Sequence, residues 1–482
     1  MTPPFFPDWQ DWLGPLGPRV RAVQPLSLHR LEQLFVPCLP PGALSQADDG
    51  PNSRERIYTV RRTFWGFLWQ VLNPGSACRE VVRQIQALFA LHGGRAVDEG
   101  TGGFCQARGR LALATLQQVR RTAAAHAETK GQRWWYGLTV KVLDGTSTSL
   151  PDTKANQKAY PQPGGQKPGC GFPLLKLVGV FSLATGALLD YAKGNKHQHE
   201  LALLEELLDQ FRPGDVAVAD RGFSCFVLLA RLLLRGVGSV MRLHQARPAD
   251  LRCGQRLGKR DRLMTWRKPA QKPRYMARAV WASLPDELPV RMLRFTLRVK
   301  GFRPKAVTLV TTLVDAQTYS AEAIARLYAR RWQIELWFRD LKTTMGMEVL
   351  RCKSPALVHK ELEMYFIAYN LIRWLMIEAR RRHHAPLERL SFKGTVDAVR
   401  QFSAALAQAR SQKKQKELFA RLLEVIARDP VPERPGRREP RAVKRRPKPF
   451  PWLTAPRHKF KEIRHRNNYY LKNKARKNKG LI

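Results

Sequence analysis

Two short apolar runs that each stop on an aspartate constrain this chain more than any other feature. Leu138-Thr-Val-Lys-Val-Leu143 alternates and runs into Asp144-Gly145-Thr146, and Asp215-Val-Ala-Val-Ala219 runs into Asp220-Arg221-Gly222. Such runs, bounded by turn formers, read as strands. Between them, Leu174–Leu183, the turn Ala184-Thr185-Gly186-Ala187 and Leu188–Ala192 read as a hairpin, and Glu200–Phe211 as a helix ending at Pro213-Gly214. A helix over Phe223–Leu234 and a fifth strand over Gly236–Leu243 follow the second aspartate. Strands interleaved with helices predict an α/β core.

The flanks have other textures. Residues 1–130 read as helical: Ser27 to Val36 with Ser27 as N-cap, then Arg61–Val71 and Cys78–His92 around Asn73-Pro74-Gly75-Ser76, then Arg110–Ala127 after a Gly-rich turn at 100–109. In a basic context this is either a DNA-reading unit or a plain helical bundle. Residues 246–318 form a basic block with strand-like runs at Ala277–Ala282, Val290–Val299 and Ala306–Val314. A long helix is predicted from Ala321 to about Met345, and a second, Leu357–Arg382, is apolar enough to be buried. The last 52 positions, 431–482, carry 18 Lys/Arg against 3 acidic residues and are Pro-rich, so they read as extended.

Charge narrows the partners. With 84 Lys+Arg against 39 Asp+Glu the net charge is +45, which points to a polyanion, with nucleic acid as the default. Apolar residues make up 44% of 482, enough for a large core and, at about 100–200 residues per domain, for two to four domains. No apolar run reaches the ~18–20 residues of a membrane span; Cys225 to Met241 is broken by Arg231 and Arg235. The N-terminus lacks the pattern of a secretory signal, and the seven cysteines form no Cys-x-x-Cys pair. The expected setting is the cytoplasm.

On the long helix, at 100° per residue from Tyr328, Arg331 falls at −60°, Glu335 at −20° and Lys342 at −40°, one stripe over ~21 Å beside an apolar face of Leu327, Ile334, Phe338, Leu341 and Met345. Helical salt bridges on a solvated face would explain the stripe equally well. Asp144 and Asp220 at strand ends could likewise be turn formers. Taken together, two strand-end carboxylates and one helical carboxylate suit two hard divalent cations, which take oxygen ligands and act in line on a phosphoryl group.

The order hairpin, strand, helix, strand, with acids after the first and fourth strands and a third on a late helix, is that of a ribonuclease H-like fold. On Asp144-Gly145-Thr146, on Asp220-Arg221-Gly222-Phe223 and on a Tyr–(2)–Arg–(3)–Glu–(6)–Lys spacing met by Tyr328, Arg331, Glu335 and Lys342, the chain resembles bacterial transposases of the insertion-sequence-4 family, within the DDE group. The resemblance implies a helical N-terminal domain (1–130), a catalytic core in two parts (131–245 and 319–395) around a β-rich insertion (246–318), and a helical, basic C-terminal region (396–482). It implies that Asp144, Asp220 and Glu335 are catalytic and bind two Mg²⁺ ions, with Mn²⁺ as a substitute. Tyr328, Arg331 and Lys342 would grip phosphates of double-stranded DNA at the terminal inverted repeats. The chemistry would free a 3′-OH, form a hairpin and join the element to target DNA, with a homodimer pairing two ends and no nucleotide cofactor. Relatives stack a flipped base on a Trp of the insertion, for which Trp266 and Trp281 are candidates, although a Trp in a strand is commonly core. His197-x-His199-Glu200 opens a helix and reads as a cap rather than a metal site. Two rival functions share features with this reading: a transposase-derived DNA-binding protein without catalysis, and a ribonuclease H-like nuclease.

Overall fold

The computed structural model describes residues 57–91, 96–128, 134–297, 305–409, 411–432 and 453–460, with residues 35, 38–40 and 44. Most of the expected Ser27–Val36 helix and most of the basic tail lie outside the described residues.

The helical first region contains α1 (Val60–Leu72), α2 (Cys78–Leu91), α3 (Gly102–Arg110) and α4 (Leu113–Glu128). Thr59 caps α1 by accepting from the Arg62 amide at 3.2 Å, and the helix buries Phe64, Trp65, Phe67, Leu68, Val71 and Leu72. The break after α1 follows from Asn73-Pro74-Gly75, where Gly75 takes φ +97°. The stretch read as a Gly-rich turn at 100–109 is instead largely α3. Packing overrides the helix penalty of its glycines: a Cβ on Gly103 would stand 3.0 Å from the Tyr58 ring.

The α/β character expected from the sequence is met by one nine-stranded mixed sheet. It holds β1 (Thr139–Ser149), β2 (Leu174–Ser182), β3 (Leu188–Gly194), β4 (Asp215–Ala219), β5 (Gly238–Arg242), β6 (Gln255–Gly258), β7 (Asp261–Arg267), β8 (Glu287–Leu297) and β9 (Lys305–Thr311), in the order β3-β2-β1-β4-β5-β9-β8-β7-β6. Strand β1 is antiparallel to β2 and parallel to β4, β4 is parallel to β5, and β9 joins β5 antiparallel. The basic block therefore extends the same sheet through β9. Between strands lie α5 (Lys154–Ala159), α6 (Glu200–Leu204), α7 (Phe226–Leu234) and α8 (Arg278–Ala282). The run Ala277–Ala282, read as a strand, is the helix α8.

The central strand β4 is short and wholly buried, as expected for a strand covered on both faces. One core takes Val140 and Val142 of β1 with Val216 and Val218 of β4; the other takes Leu143, Ala217 and Ala219 with Leu203, Leu204 and the apolar side of α7.

The predicted helix at 321–345 is three segments rather than one. α9 (Ala321–Ala329) passes through a 3₁₀ turn at Arg330–Trp332 into α10 (Gln333–Arg339), which ends in a π turn at Asp340–Thr344. α11 (Pro355–His383) is buried from Leu362 to Ala379, as its apolar sequence predicts, and ends where His384 turns left-handed at φ +53°. Most of its buried polar groups are engaged: Glu361 accepts from the amides of Arg351 and Cys352, Asn370 bridges the N–H and C=O of Leu188, and Arg373 donates to the Thr185 carbonyl, whereas the buried Trp374 indole N–H has no partner. α12 (Phe392–Gln408) and α13 (Gln412–Ala427) pack beside it.

Candidate functional site

Asp144 does not end its strand. Leu143 is the last β1 residue paired with β4, opposite Ala219, whereas pairing with β2 continues to Ser149. The polar run Gly145-Thr146-Ser147 hid this continuation, because one free edge removes the demand for apolar residues. Asp144 thus stands on a held backbone beside an open edge. Directly opposite is Gly179, where a Cβ would lie 2.9 Å from Phe181 and 3.4 Å from Phe338. That missing side chain lets α10 close onto the sheet above Asp144. Asp220, by contrast, follows β4 directly, as expected, with extended backbone (φ −78°, ψ 175°) before the turn Arg221–Phe223.

Glu335 arrives on the first turn of α10, and Arg331 sits one turn earlier. The Arg331 guanidinium donates to Asp144 Oδ2 at 3.3 Å and to Glu335 Oε1 at 2.7 Å. The Tyr328 phenol donates to Asp220 Oδ1 at 3.3 Å. The run from α9 through the 3₁₀ turn into α10 therefore brings all three acids together. Lys342 falls in the π turn, half-buried, and makes no ion pair with these acids.

Burial pushes the Asp144 carboxyl up to about 6; the Gly145 amide at 2.8 Å and Arg331 pull it back, while the charges of Asp220 and Glu200 push it further. Burial likewise pushes the Tyr328 phenol up to about 12, so it stays a donor. Burial opposes the charge on Arg331, but its hydrogen bond to Glu335 and the neighbouring Tyr328, Asp144 and Asp220 raise its pKa overall.

Glu200 is the acid that sequence reasoning placed only in a capping motif. It opens α6, and a Cβ added to Gly145 would lie 2.6 Å from its carboxyl carbon. The glycine after Asp144 was the available signal: it marks a close approach. His199 caps α6, its Nδ1 accepting from the Leu201 amide at 3.2 Å.

All the candidate donors are carboxylate oxygens, the set a hard divalent cation takes. Among the described residues, however, no three His, Cys, Asp or Glu side chains are already set to hold an ion. The positive charge shared by Asp144 and Glu335 is the guanidinium of Arg331. The residues fit the cation in kind, and the upward push of neighbouring negative charge on Asp144 marks the deficit that it would fill.

The two tryptophans part ways. Trp266 lies in β7, 6% exposed, with the Arg247 guanidinium 3.9 Å from its ring centre. Trp281 lies on α8, half-buried, with the Lys268 ammonium 5.1 Å away.

Residues 135–371, which contain Asp144, Asp220 and Glu335, match the transposase DDE domain family. The chain is 29% identical over 409 residues, 84% of this chain and 89% of the relative, to the transposase InsG for insertion sequence element IS4 of Escherichia coli (strain K12). Both matches support an insertion-sequence-4 family transposase. The chain is thus a transposase of an insertion sequence, an enzyme that cleaves and transfers DNA. A shorter match, 35% identical over 86 residues (18% of this chain, 22% of the relative), is to the probable transposase for insertion sequence element IS5377 of Geobacillus stearothermophilus. A solved piggyBac transposase synaptic complex with hairpin DNA aligns over 84% of this chain and 85% of that chain at 10% identity, with a TM-score of 0.42, too loose a likeness to add to the argument.

Proposed function

We propose that this transposase works by cut and paste, with Asp144, Asp220 and Glu335 as the catalytic centre of a ribonuclease H-like core. The observation that carries the proposal is the convergence of these acids, from β1, the end of β4 and α10, around one guanidinium and one phenol. The order β3-β2-β1-β4-β5, a hairpin beside two further parallel strands, supports the ribonuclease H-like reading, with 246–318 as its β-rich insertion.

Asp144, Asp220 and Glu335 would hold two Mg²⁺ ions, replaceable by Mn²⁺, which would supply charge stabilisation to the attacking and leaving oxygens of phosphoryl displacement. For the acids to take that role, Arg331 must give up its two ion pairs. A DNA phosphate is the natural replacement partner, because the guanidinium fork matches its oxygens. Arg331 thus neutralises the acids before DNA arrives and holds the backbone afterwards. Tyr328, kept protonated by burial, orients Asp220 and reaches the same strand, and Lys342 takes a phosphate further along the helix. Hydrolysis at a terminal inverted repeat frees a 3′-OH; its attack on the opposite strand gives a hairpin, opened before strand transfer. A homodimer pairs the two ends, and the enzyme works in the cytoplasm on nucleoid DNA. Of the two candidate base platforms, Trp281 is the more accessible and is preferred.

Glu335→Gln tests the assignment. Cleavage of DNA carrying the element's ends should fall at least a thousandfold while affinity for that DNA stays within a few-fold. Loss of both together would remove Glu335 from the catalytic role.

A further inference from the structure

Arg330 and Arg331 are neighbours in one 3₁₀ turn yet face opposite ways. Arg331 meets the acids, whereas the Arg330 guanidinium lies 4.2 Å from the ring centre of Trp134, at a cavity of about 480 Å³. Gln333, Trp337 and Asp340 continue that wall at helical spacing, on the side of α10 away from Glu335. A neighbouring cavity of about 530 Å³ shares Arg380 and Glu388 with the first and adds Arg381 and His384.

The groove has more positive charge than it can neutralise. Among the described residues neither Arg330 nor Arg380 forms an ion pair, and Arg373 donates to a neutral carbonyl. Its two acids are Glu388 and Asp340, and burial pushes Asp340 up to about 6. Trp134 braces the Arg330 guanidinium by stacking, which leaves the N–H edge available to an oxyanion. Arg330, half-buried with only the more distant charge of Glu388 to offset it, is costly to hold there unless an anion comes to it.

We propose that this groove is a second DNA-backbone site, in which Arg330 and Arg380 hold phosphodiester oxygens of the substrate at a distance from the cut. The proposal rests on the DNA-cleaving reading for the identity of the anion, but its binding chemistry is separate from the acids. Adjacent arginines in one turn would then grip DNA on both sides of the catalytic helix.

The test is the salt dependence of binding by the full chain, with a duplex carrying the gene's native flank and an unrelated duplex of equal length. Arg330→Ala/Arg380→Ala should lower the slope of log K against log salt by about two on both duplexes, at roughly 0.9 per phosphate contact. Arg380→Ala alone, at an exposed position, should lower it by about one and guards against misfolding of the double variant. Arg252→Ala, an exposed arginine tied to Asp250, controls for bulk charge and should leave the slope unchanged. An unmoved slope, or an equal fall with Arg252→Ala, overturns the groove. If the wild-type chain cuts no DNA yet the slopes fall as stated, the catalytic reading fails and the groove stands. If it cuts at the ends and the slopes do not move, the groove alone fails.

Discussion

Asp144 is kept in a place that suits chemistry better than folding. Its carboxyl is about three-quarters covered, and the net effect of burial and neighbours is a pKa near 6. The sign of the consequence is fixed. Below about pH 4 the group is neutral whether the chain is folded or not. As pH rises from about 4 to about 6 the unfolded chain ionises first, and stability is lost; above that the loss is constant. Asp144→Asn should therefore raise stability in metal-free buffer at pH 7.5 by roughly 1–2 kcal/mol, after discounting for solvent screening, or a few degrees in Tm. The gain should vanish below about pH 4. Melting curves at both pH values check this; an Asn variant less stable at pH 7.5 would show that the Arg331 ion pair outweighs burial. The three acids stood out in the sequence because acids are scarce here, 39 of 482 residues, and because two follow apolar runs. Glu200 and Arg330 did not, since their significance depends on Gly145 and Trp134, which no local pattern links to them.

At the scale of elements, the hairpin β2–β3 shows how a turn can be both readable and more constrained than its sequence suggests. Gly186 was expected in the turn, and it takes φ +70°. What the sequence could not reveal is Arg373, whose guanidinium carbon would lie 2.7 Å from a Cβ at this position while Arg373 itself bonds the Thr185 carbonyl. Gly186→Ala meets both backbone strain and a buried side chain, and should cost about 2–4 kcal/mol, measured by denaturant unfolding. A cost below ~0.5 kcal/mol would mean that Arg373 moves aside freely. The 321–345 helix was legible from its apolar stripe, but the 3₁₀ and π turns within it were not. Their positions are set by Arg331 reaching the acids and by Phe338 closing over Gly179, contacts made across the fold. The strand β1 was read too short and α8 was read as a strand for a related reason: tertiary pairing outvoted local pattern.

Across the whole molecule, a buried ion network ties the helical first region to the sheet. Arg120 on α4 donates to Asp190 of β3 at 2.6 Å and to Glu363 of α11 at 2.8 Å, and the Tyr191 phenol donates to Glu363 at 2.9 Å. Taking one member away leaves uncompensated charge in the interior. Arg120→Ala should cost about 3–5 kcal/mol, whereas Arg256→Ala, exposed on β6 and outside this network, should cost far less. Equal losses in the two variants would deny the network its role. No single stretch of sequence announces this joint, because its members lie on three elements distant along the chain. The charge balance, by contrast, was legible at once: +45 anticipates a DNA partner before any strand is placed.

The central claim is that Asp144, Asp220 and Glu335 cut DNA at the ends of the element. The most direct measurement maps strand breaks at nucleotide resolution on a plasmid carrying the gene with its native flanks, incubated with Mg²⁺ and either the wild-type chain or Asp220→Asn. Paired breaks at inverted sequences on either side of the gene, absent with Asp220→Asn and absent without Mg²⁺, are the expected result. Tight binding with no metal-dependent break, or scattered breaks that persist with Asp220→Asn, would contradict it.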